Sequence, residues 1–510
     1  MSLAGIDIGT TGTKVTVFDL DGRIIAQAYR EYPLIFPHRG WIELDAVRVL
    51  RDARDALAEA AHKSRRDPIR AISISMLGEA AAPVGRDGKI IDNAIVGFDT
   101  RGEQECNYLV GRIGRSRLFR MTGAPPNHTF TICKLMWWKR HRKNIFKRAR
   151  KFLLFEDLFF HSLGLPPTIN YSLAARTMAF NIHRKHWESA VLDEAGIDSE
   201  LLASPAASGA IVGEIPQHIA RRLGLKDSVI AVAGGHDQIC GAFGSGVIRS
   251  GLACDSTGTV ECVTVALDRA IVNNRMLKSN FCCSPHVVPN MYATLAYNFT
   301  GGSLLRWFRD EFASAEKKKA EKLGKDVYDI LLENAASEPT SLMVLPHFTT
   351  TGTPHFDPDS FGAILGMRFD TTRGDIIRAL LEGVSMEIRF NIELLREAGV
   401  AVDELKAIGG GARSDYWLRL KSDIFGTPIT ALDVPEASAL GAALLAGIAT
   451  GVYRSCEDAV ASTVRKKKRY LPNRRNKAFY EQKLKAYRSL YPALKKWAKR
   501  METHEEHEGH

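Results

Sequence analysis

A chain of 510 residues, 45% hydrophobic and 25% charged, is too long for one ordinary core and too apolar to stay unfolded, so two domains are expected. The formal net charge of +11 gathers in two runs, Lys139–Lys151 and Arg465–Arg469; neither sits in a nucleic-acid motif, so both read as solvated basic faces. Eight cysteines (106, 133, 240, 254, 262, 282, 283 and 456) form no CxxC pair and no zinc spacing, which fits buried free thiols in a reducing cytoplasm.

The first residues read strand, turn, strand. Ala4–Ile8 is a short apolar run, Gly9–Gly12 is turn material and Lys14–Phe18 alternates. Asp21-Gly22 is a hairpin signal, after which Arg23–Ala28 continues the meander. This start lacks the basic and apolar regions of a signal peptide. The extreme ends, Met1–Leu3 and Glu508–His510, read as foreign additions outside the functional argument. Asp45 is placed to cap a helix running to about Ala61, and Ala71–Met76 is again strand-like.

The segment Leu252–Thr264, LACDSTGTVECVTV with its flanks, echoes LAGIDIGTTGTKVTVF at the start. Each places an Asp after an apolar strand, then a Thr-Gly-Thr turn, then a strand ending in Val-Thr-Val. The echo lies about half the chain away and suggests a duplicated α/β fold with two facing halves. The boundary falls near Gly244–Gly251, which is rich in Gly and Ser, giving domains 4–245 and 246–495. Later, Thr371–Ala398, Ser438–Thr450 and Asn476–Arg500 carry helical patterns, the last expected to pack on its domain rather than on a membrane. The most apolar run, Ala439–Ala449, is too short to cross a bilayer.

Three Gly-rich stretches point to phosphate chemistry. In Asp7-Ile8-Gly9-Thr10-Thr11-Gly12-Thr13-Lys14 the glycines allow close backbone approach, successive N–H groups can nest an anion, and Asp7 is placed to hold hydrated Mg²⁺. This is not a P-loop, and a plain hairpin is the alternative. Ser256-Thr257-Gly258-Thr259 offers the same donors, so two such turns could clamp a polyphosphate from both sides. Gly409-Gly410-Gly411-Ala412-Arg413-Ser414 lies between a strand and a helix, where a base or ribose can rest on backbone, or where the chain merely crosses over. In Gly234-Gly235-His236-Asp237-Gln238, Asp237 reads either as a helix N-cap or as the carboxylate that takes a proton from an attacking hydroxyl.

Together DIGTTGTK, GGHDQ, STGT, GGGARSDYWLRLKSDIFGTPI and the following E-ASALGAALLAG resemble the FGGY carbohydrate kinases in order and spacing over roughly residues 4–495. TGAPPNHTFTICKLMWW, LPHFTTTGTPHFDP and the C-terminal RYLPNRRNKAFYEQKLKAYRSLYPAL support it. The resemblance implies an α/β fold of two actin-like (ribonuclease H-like) domains around a central cleft, with sugar mainly on the first and ATP on the second. It implies Asp237 as catalytic base and Asp7 as organiser of Mg²⁺. Thr10, Thr11, Lys14, Thr257, Gly258 and Thr259 would lie at the phosphates, and Gly410, Gly411 and Ala412 at the adenosine. Glu79, Asp237, Gln238 and Gly97 would meet the substrate.

The departures bear on that substrate. Where glycerol kinases carry Arg-Glu this chain has Gly78-Glu79; their Trp is Gly97 in GFDTR and their Tyr is Thr129. Xylulokinases usually show Met-His where Gly78-Glu79 stands, so Glu79 replaces the His, and Asp-Asn where Asp237-Gln238 stands. The family's GERTP reads TTGTP at 350–354. Losing an Arg, a Trp and a Tyr should widen the pocket, so a pentulose such as xylulose is expected first. A glycerol- or erythritol-type polyol kinase and a non-kinase actin-like ATPase switch are the alternatives. The expected partners are ATP, Mg²⁺ and a small sugar or polyol, without nucleic acid or membrane; a homodimer is compatible with this reading.

Overall fold

The computed structural model describes residues 1–226 and 228–508, with side chains to 499. Two α/β halves each carry one mixed sheet. In the first, the order is Ile211–Glu214, Ile230–His236, Ile69–Met76, Ser2–Ile8, Gly12–Phe18 and Ile24–Glu31. In the second it is Ser284–Pro285, Tyr292–Asn298, Glu261–Leu267, Gly251–Thr257, Val402–Ile408, Ile429–Leu432 and Lys466–Tyr470.

The two sheets repeat one plan. Ser2–Ile8 runs antiparallel to Gly12–Phe18 and parallel to Ile69–Met76. Gly251–Thr257 runs antiparallel to Glu261–Leu267 and parallel to Val402–Ile408. The sequence echo therefore marks equivalent hairpins. Ser2 and Leu3, read from sequence as foreign, belong to the first strand and are buried; of 508–510, the last two lie outside the described residues.

The expected helices form with identifiable stops. Asp45 Oδ1 accepts the Arg48 N–H at 3.0 Å and caps Ala46–Lys63. Thr372 and Asp375 make a capping box for Arg373–Glu397. All eight cysteines are free and buried. The Arg465–Arg469 run lies on or beside the edge strand Lys466–Tyr470, where lysines keep an open sheet edge from pairing with another chain. Among the described residues no helix is long and apolar enough to cross a membrane.

The halves meet through two helices. Asp237–Gly244 leaves the first sheet and packs against Ala437–Ala449 of the second half, which itself lies on the first sheet. A methyl at Gly244 would overlap the Ala437 carbonyl, and one at Gly441 would overlap the Cys240 carbonyl, so the helices touch backbone to backbone. That contact places the N-terminus of each helix at the crevice where the first-half acids gather.

Candidate active site

Strand Ile230–His236 runs straight into helix Asp237–Gly244, so Asp237 is the first helical residue and His236 occupies the cap position. Asp237 Oδ1 accepts the Gln238 N–H at 2.6 Å, and the side chain stays 31% exposed. Desolvation by its surroundings raises its pKa to about 7; the charges of Asp7 and Glu79 add to this, while the Gln238 N–H and Arg176 oppose it. A carboxylate half-ionised near neutrality is matched to accepting a proton from an alcohol. His236 Nδ1 lies 3.4 Å away, but burial holds that imidazole well below its usual pKa, so it stays neutral.

Beside this acid is a polar pocket built on Glu79. Glu79 adopts φ of 63°, an uncommon left-handed conformation for a non-glycine residue. Its carbonyl accepts Thr131 Oγ1 at 2.9 Å and Lys134 Nζ at 3.5 Å. Its carboxylate oxygen Oε1 receives both Nε and Nη2 of Arg176. Lys134 is fully buried, and desolvation lowers its pKa to about 8. A Cβ on Gly97 would come within 3.2 Å of Glu79 Oε2 and 3.8 Å of Thr129 Cγ2, so these three residues border one space. The segment after Gly97 is held by side chains: Asp99 accepts the Ile42 N–H at 2.6 Å and pairs with Arg101, whose guanidinium lies 4.2 Å from the Trp41 ring centre and 4.9 Å from that of Trp137.

At the first turn, Ser75 Oγ donates to Asp7 Oδ1 at 2.9 Å. Burial raises the Asp7 pKa to about 6; Glu436 adds to the rise, while Ser75 and Lys14 oppose it. Tyr32 braces the turn, donating its hydroxyl to Gly9 O at 2.8 Å while its N–H reaches Thr11 O. Thr10 is half-buried and Thr11 exposed. Lys14 Nζ pairs with Glu436 Oε1 at 2.9 Å, from the residue just before the second half's crevice helix. Among the described residues no three His, Cys, Asp or Glu side chains form a metal cage. Mg²⁺ ordinarily takes one or two carboxylates together with substrate phosphates, and Asp7, an under-neutralised hard oxygen donor, fits that role.

The second turn opens on a cavity of about 580 Å³. Thr257, Gly258, Thr259, Ser303, Gly410 and Gly411 are among its lining residues, with Tyr328 and Leu332 on an apolar flank. Gly409 has φ of 83°, and a Cβ there would lie 2.6 Å from Thr257 O; one on Gly411 would lie 2.7 Å from Thr257 Cβ. The glycine run is thus needed for the two Gly-rich segments to press together and form one wall. The buried Ser303 hydroxyl has no hydrogen-bond partner.

The chain matches the model of the FGGY family of carbohydrate kinases, N-terminal domain, over residues 2–244, and that of the C-terminal domain over 253–450. The chain belongs to the FGGY family of carbohydrate kinases. It is 30% identical over 497 residues to the xylulose kinase of Bacillus subtilis, covering 96% of this chain and 97% of that protein. It is 30% identical over 469 residues to a glycerol kinase of Escherichia coli (strain ED1a), covering 89% and 90%. The crystal structure of xylulose kinase from Rhodospirillum rubrum superposes with a TM-score of 0.87 at 24% identity, covering 98% of this chain and 99% of that one. Membership carries the reaction class: ATP-dependent phosphorylation of a hydroxyl on a sugar or polyol.

In this FGGY kinase the residues singled out from sequence fall into two groups. Asp7, Glu79, Gly97, Asp237 and Gln238 gather at the acid pocket, and Thr257, Gly258, Thr259, Gly410 and Gly411 line the cavity. Three of the expected residues make contacts within the protein that the sequence did not announce. The Thr257 hydroxyl is turned inward to Asp255 and Lys421. Ala412 packs against the core, and Arg413 and Ser414 line the cavity beside it. Lys14 is engaged by Glu436.

Sequence reasoning missed Arg176. A Cβ on Gly78 would meet its Cγ and Nε at 3.2 Å, so a guanidinium already stands beside the position where glycerol kinases carry Arg. The expected loss of an arginine from this pocket is therefore made good in space. The available signal was a lone Arg inside the apolar stretch Ser172–Phe180.

Proposed function

We propose that this kinase transfers the γ-phosphoryl group of ATP to a hydroxyl of a pentulose such as xylulose, with Asp237 as base. The observation that carries the reading is that Gly97, a residue without a side chain, borders Glu79 and Thr129, with Glu79 close enough to Asp237 for its charge to raise that carboxyl's pKa. Glu79 and Arg176 present an acceptor and a donor in fixed orientation, as a polyhydroxylated ligand requires. The small residues at 97 and 129 leave room for a backbone longer than glycerol, and the Bacillus subtilis relative is named a xylulose kinase.

In the reaction, Asp237 accepts the hydroxyl proton as that oxygen bonds to the γ-phosphorus, and the bond to the β-phosphate oxygen breaks to release ADP. The Thr257–Thr259 and Thr10–Gly12 turns are assigned to the phosphates, and the Gly410–Gly411 wall to the adenosine. Asp7 would hold Mg²⁺, which neutralises phosphate charge when bound. We read the halves as actin-like (ribonuclease H-like) domains because each repeats the same antiparallel-then-parallel strand plan, and closure between them would exclude water.

The test is ATP consumption over a panel of pentuloses, hexuloses, pentitols, tetritols and glycerol. A pentulose is expected to give the highest kcat/KM. A higher value for glycerol or a tetritol would move the assignment to a polyol kinase.

A further inference from the structure

We propose that Phe98 and Phe299, one from each half, form an aromatic bridge that roofs the acceptor pocket, holding the sugar in and water out. The inference rests on the kinase reading above and adds to it two positioning residues that make no polar contact with the acceptor.

The rings lie edge to face, with centroids 6.2 Å apart and planes at 70°. Phe98 is 56% exposed, so it does not serve the core of its own half. It directly follows Gly97, which borders Glu79 and Thr129, and it precedes Asp99, which is fully buried and fixed by Ile42 and Arg101. The ring is therefore presented at the pocket rim from a base held by side chains.

Phe299 is mounted in the same manner. Asn298 is buried and brackets it, donating to Thr300 O at 2.7 Å and accepting the Thr300 N–H at 3.1 Å. Its ring packs edge-on against Tyr297 at 5.3 Å, and Tyr297 packs against Phe356 at 5.4 Å. Tyr297 is within reach of the charges of the Glu79–Arg176 pair: burial holds its hydroxyl well above its usual pKa, with Arg176 opposing and Glu79 adding. A line of rings, Phe356, Tyr297 and Phe299, thus runs through the second half to Phe98 of the first.

Such a bridge matters because water competes with the sugar. Water attacking the γ-phosphorus forms the new P–O bond, breaks the bond to the β-phosphate oxygen and loses its proton to solvent or Asp237, wasting ATP. An apolar roof made only when the halves meet links acceptor capture to a dry cleft.

The experiment compares Phe98→Ala, Phe299→Ala, the double variant and Phe98→Tyr, measuring acceptor KM, ATP KM and ATP hydrolysed per acceptor phosphorylated. Each Ala variant is expected to raise acceptor KM and the hydrolysis ratio about 3- to 10-fold, from the usual worth of an aromatic pair, with ATP KM unchanged. The double variant should be no worse than either single one, and Phe98→Tyr should retain wild-type values. Additive losses, or an unchanged acceptor KM and hydrolysis ratio, would remove the bridge. A wild-type enzyme whose ATP consumption no acceptor raises would instead remove the kinase reading on which it stands.

Discussion

Ser438 of the second half donates its hydroxyl to the backbone carbonyl of Asp237 at 3.1 Å. The helix that carries Ser438 begins beside Glu436, which holds Lys14 of the first turn. The base, the first turn and the second half's crevice helix are thus one connected unit. A shift between the halves moves Asp237 along with them, which is how closure can align a base with a phosphate bound elsewhere.

Asp237→Asn tests the base. The loss in kcat is expected at about 10²–10⁴-fold, the usual worth of a positioned base, with ATP affinity retained. In the wild type, kcat/KM should rise with pH through an apparent pKa near 7, because the ionised form accepts the proton. Stability runs the other way. A carboxyl raised from 3.8 to about 7 on folding costs nothing below 3.8, and its penalty is complete above about 7. Asp237→Asn should therefore raise Tm at pH 8 and leave it unchanged near pH 4. Thermal melts at both pH values, with full kinetics, check the pair of effects.

Gly97→Trp tests the acceptor space. A side chain there starts 3.2 Å from Glu79 Oε2 and would fill the region shared with Thr129. The ratio of kcat/KM for a pentulose over glycerol should fall by about 10- to 200-fold, the range available to shape discrimination in a pocket. An unchanged ranking over the acceptor panel would show that Gly97 does not face the sugar.

Much of this site was legible because its parts are local. Asp7, Thr257–Thr259, Asp237 and Gly409–Gly411 each sit at a strand end, where apolar runs stop against Gly and Thr, and the duplicated hairpin reads directly from the echo around Asp255. Arg176 was not legible, because its partner Glu79 is 97 residues away and nothing local announces the pair. The direction of the Thr257 hydroxyl was lost for the same reason, since Lys421 is 164 residues distant. The packing of Ala412 against the core was not legible either, because a 3₁₀ turn over Gly410–Arg413 sets its direction and a run of small residues does not encode that rotation. The strand pairing of Ser2 and Leu3 was not legible because two residues have no period to read; pairing across the sheet decides their place.

Gly409→Ala tests the nucleotide wall. The substitution meets both a φ of 83° and the Thr257 carbonyl at 2.6 Å. Backbone strain of about 1–3 kcal/mol corresponds to a weakening of ATP binding of about 5- to 100-fold. Acceptor binding without nucleotide should be unaffected, because Gly409 lies outside the Glu79 pocket. Calorimetric titration of each ligand separates the two effects.

Lys421→Met tests the support beneath that wall. Lys421 Nζ donates to Asp255 Oδ2 at 2.8 Å and to Thr257 Oγ1 at 2.5 Å, and Glu261 Oε1 lies 2.8 Å from the same nitrogen; all three charged side chains are buried. Burial already raises Glu261 to about 8, with Lys421 opposing the rise. Removing the lysine leaves the buried Asp255 without its cation, a loss of about 3–5 kcal/mol. Glu261 escapes its part of the cost by holding a proton, which it does more fully at low pH, so the drop in Tm should be larger at pH 8 than at pH 5.5. Because the Thr257 hydroxyl also loses its anchor, ATP affinity should fall at both pH values, whereas acceptor KM should not change. A variant with an unaltered melt would mean that the cluster contributes neither stability nor shape to the second turn.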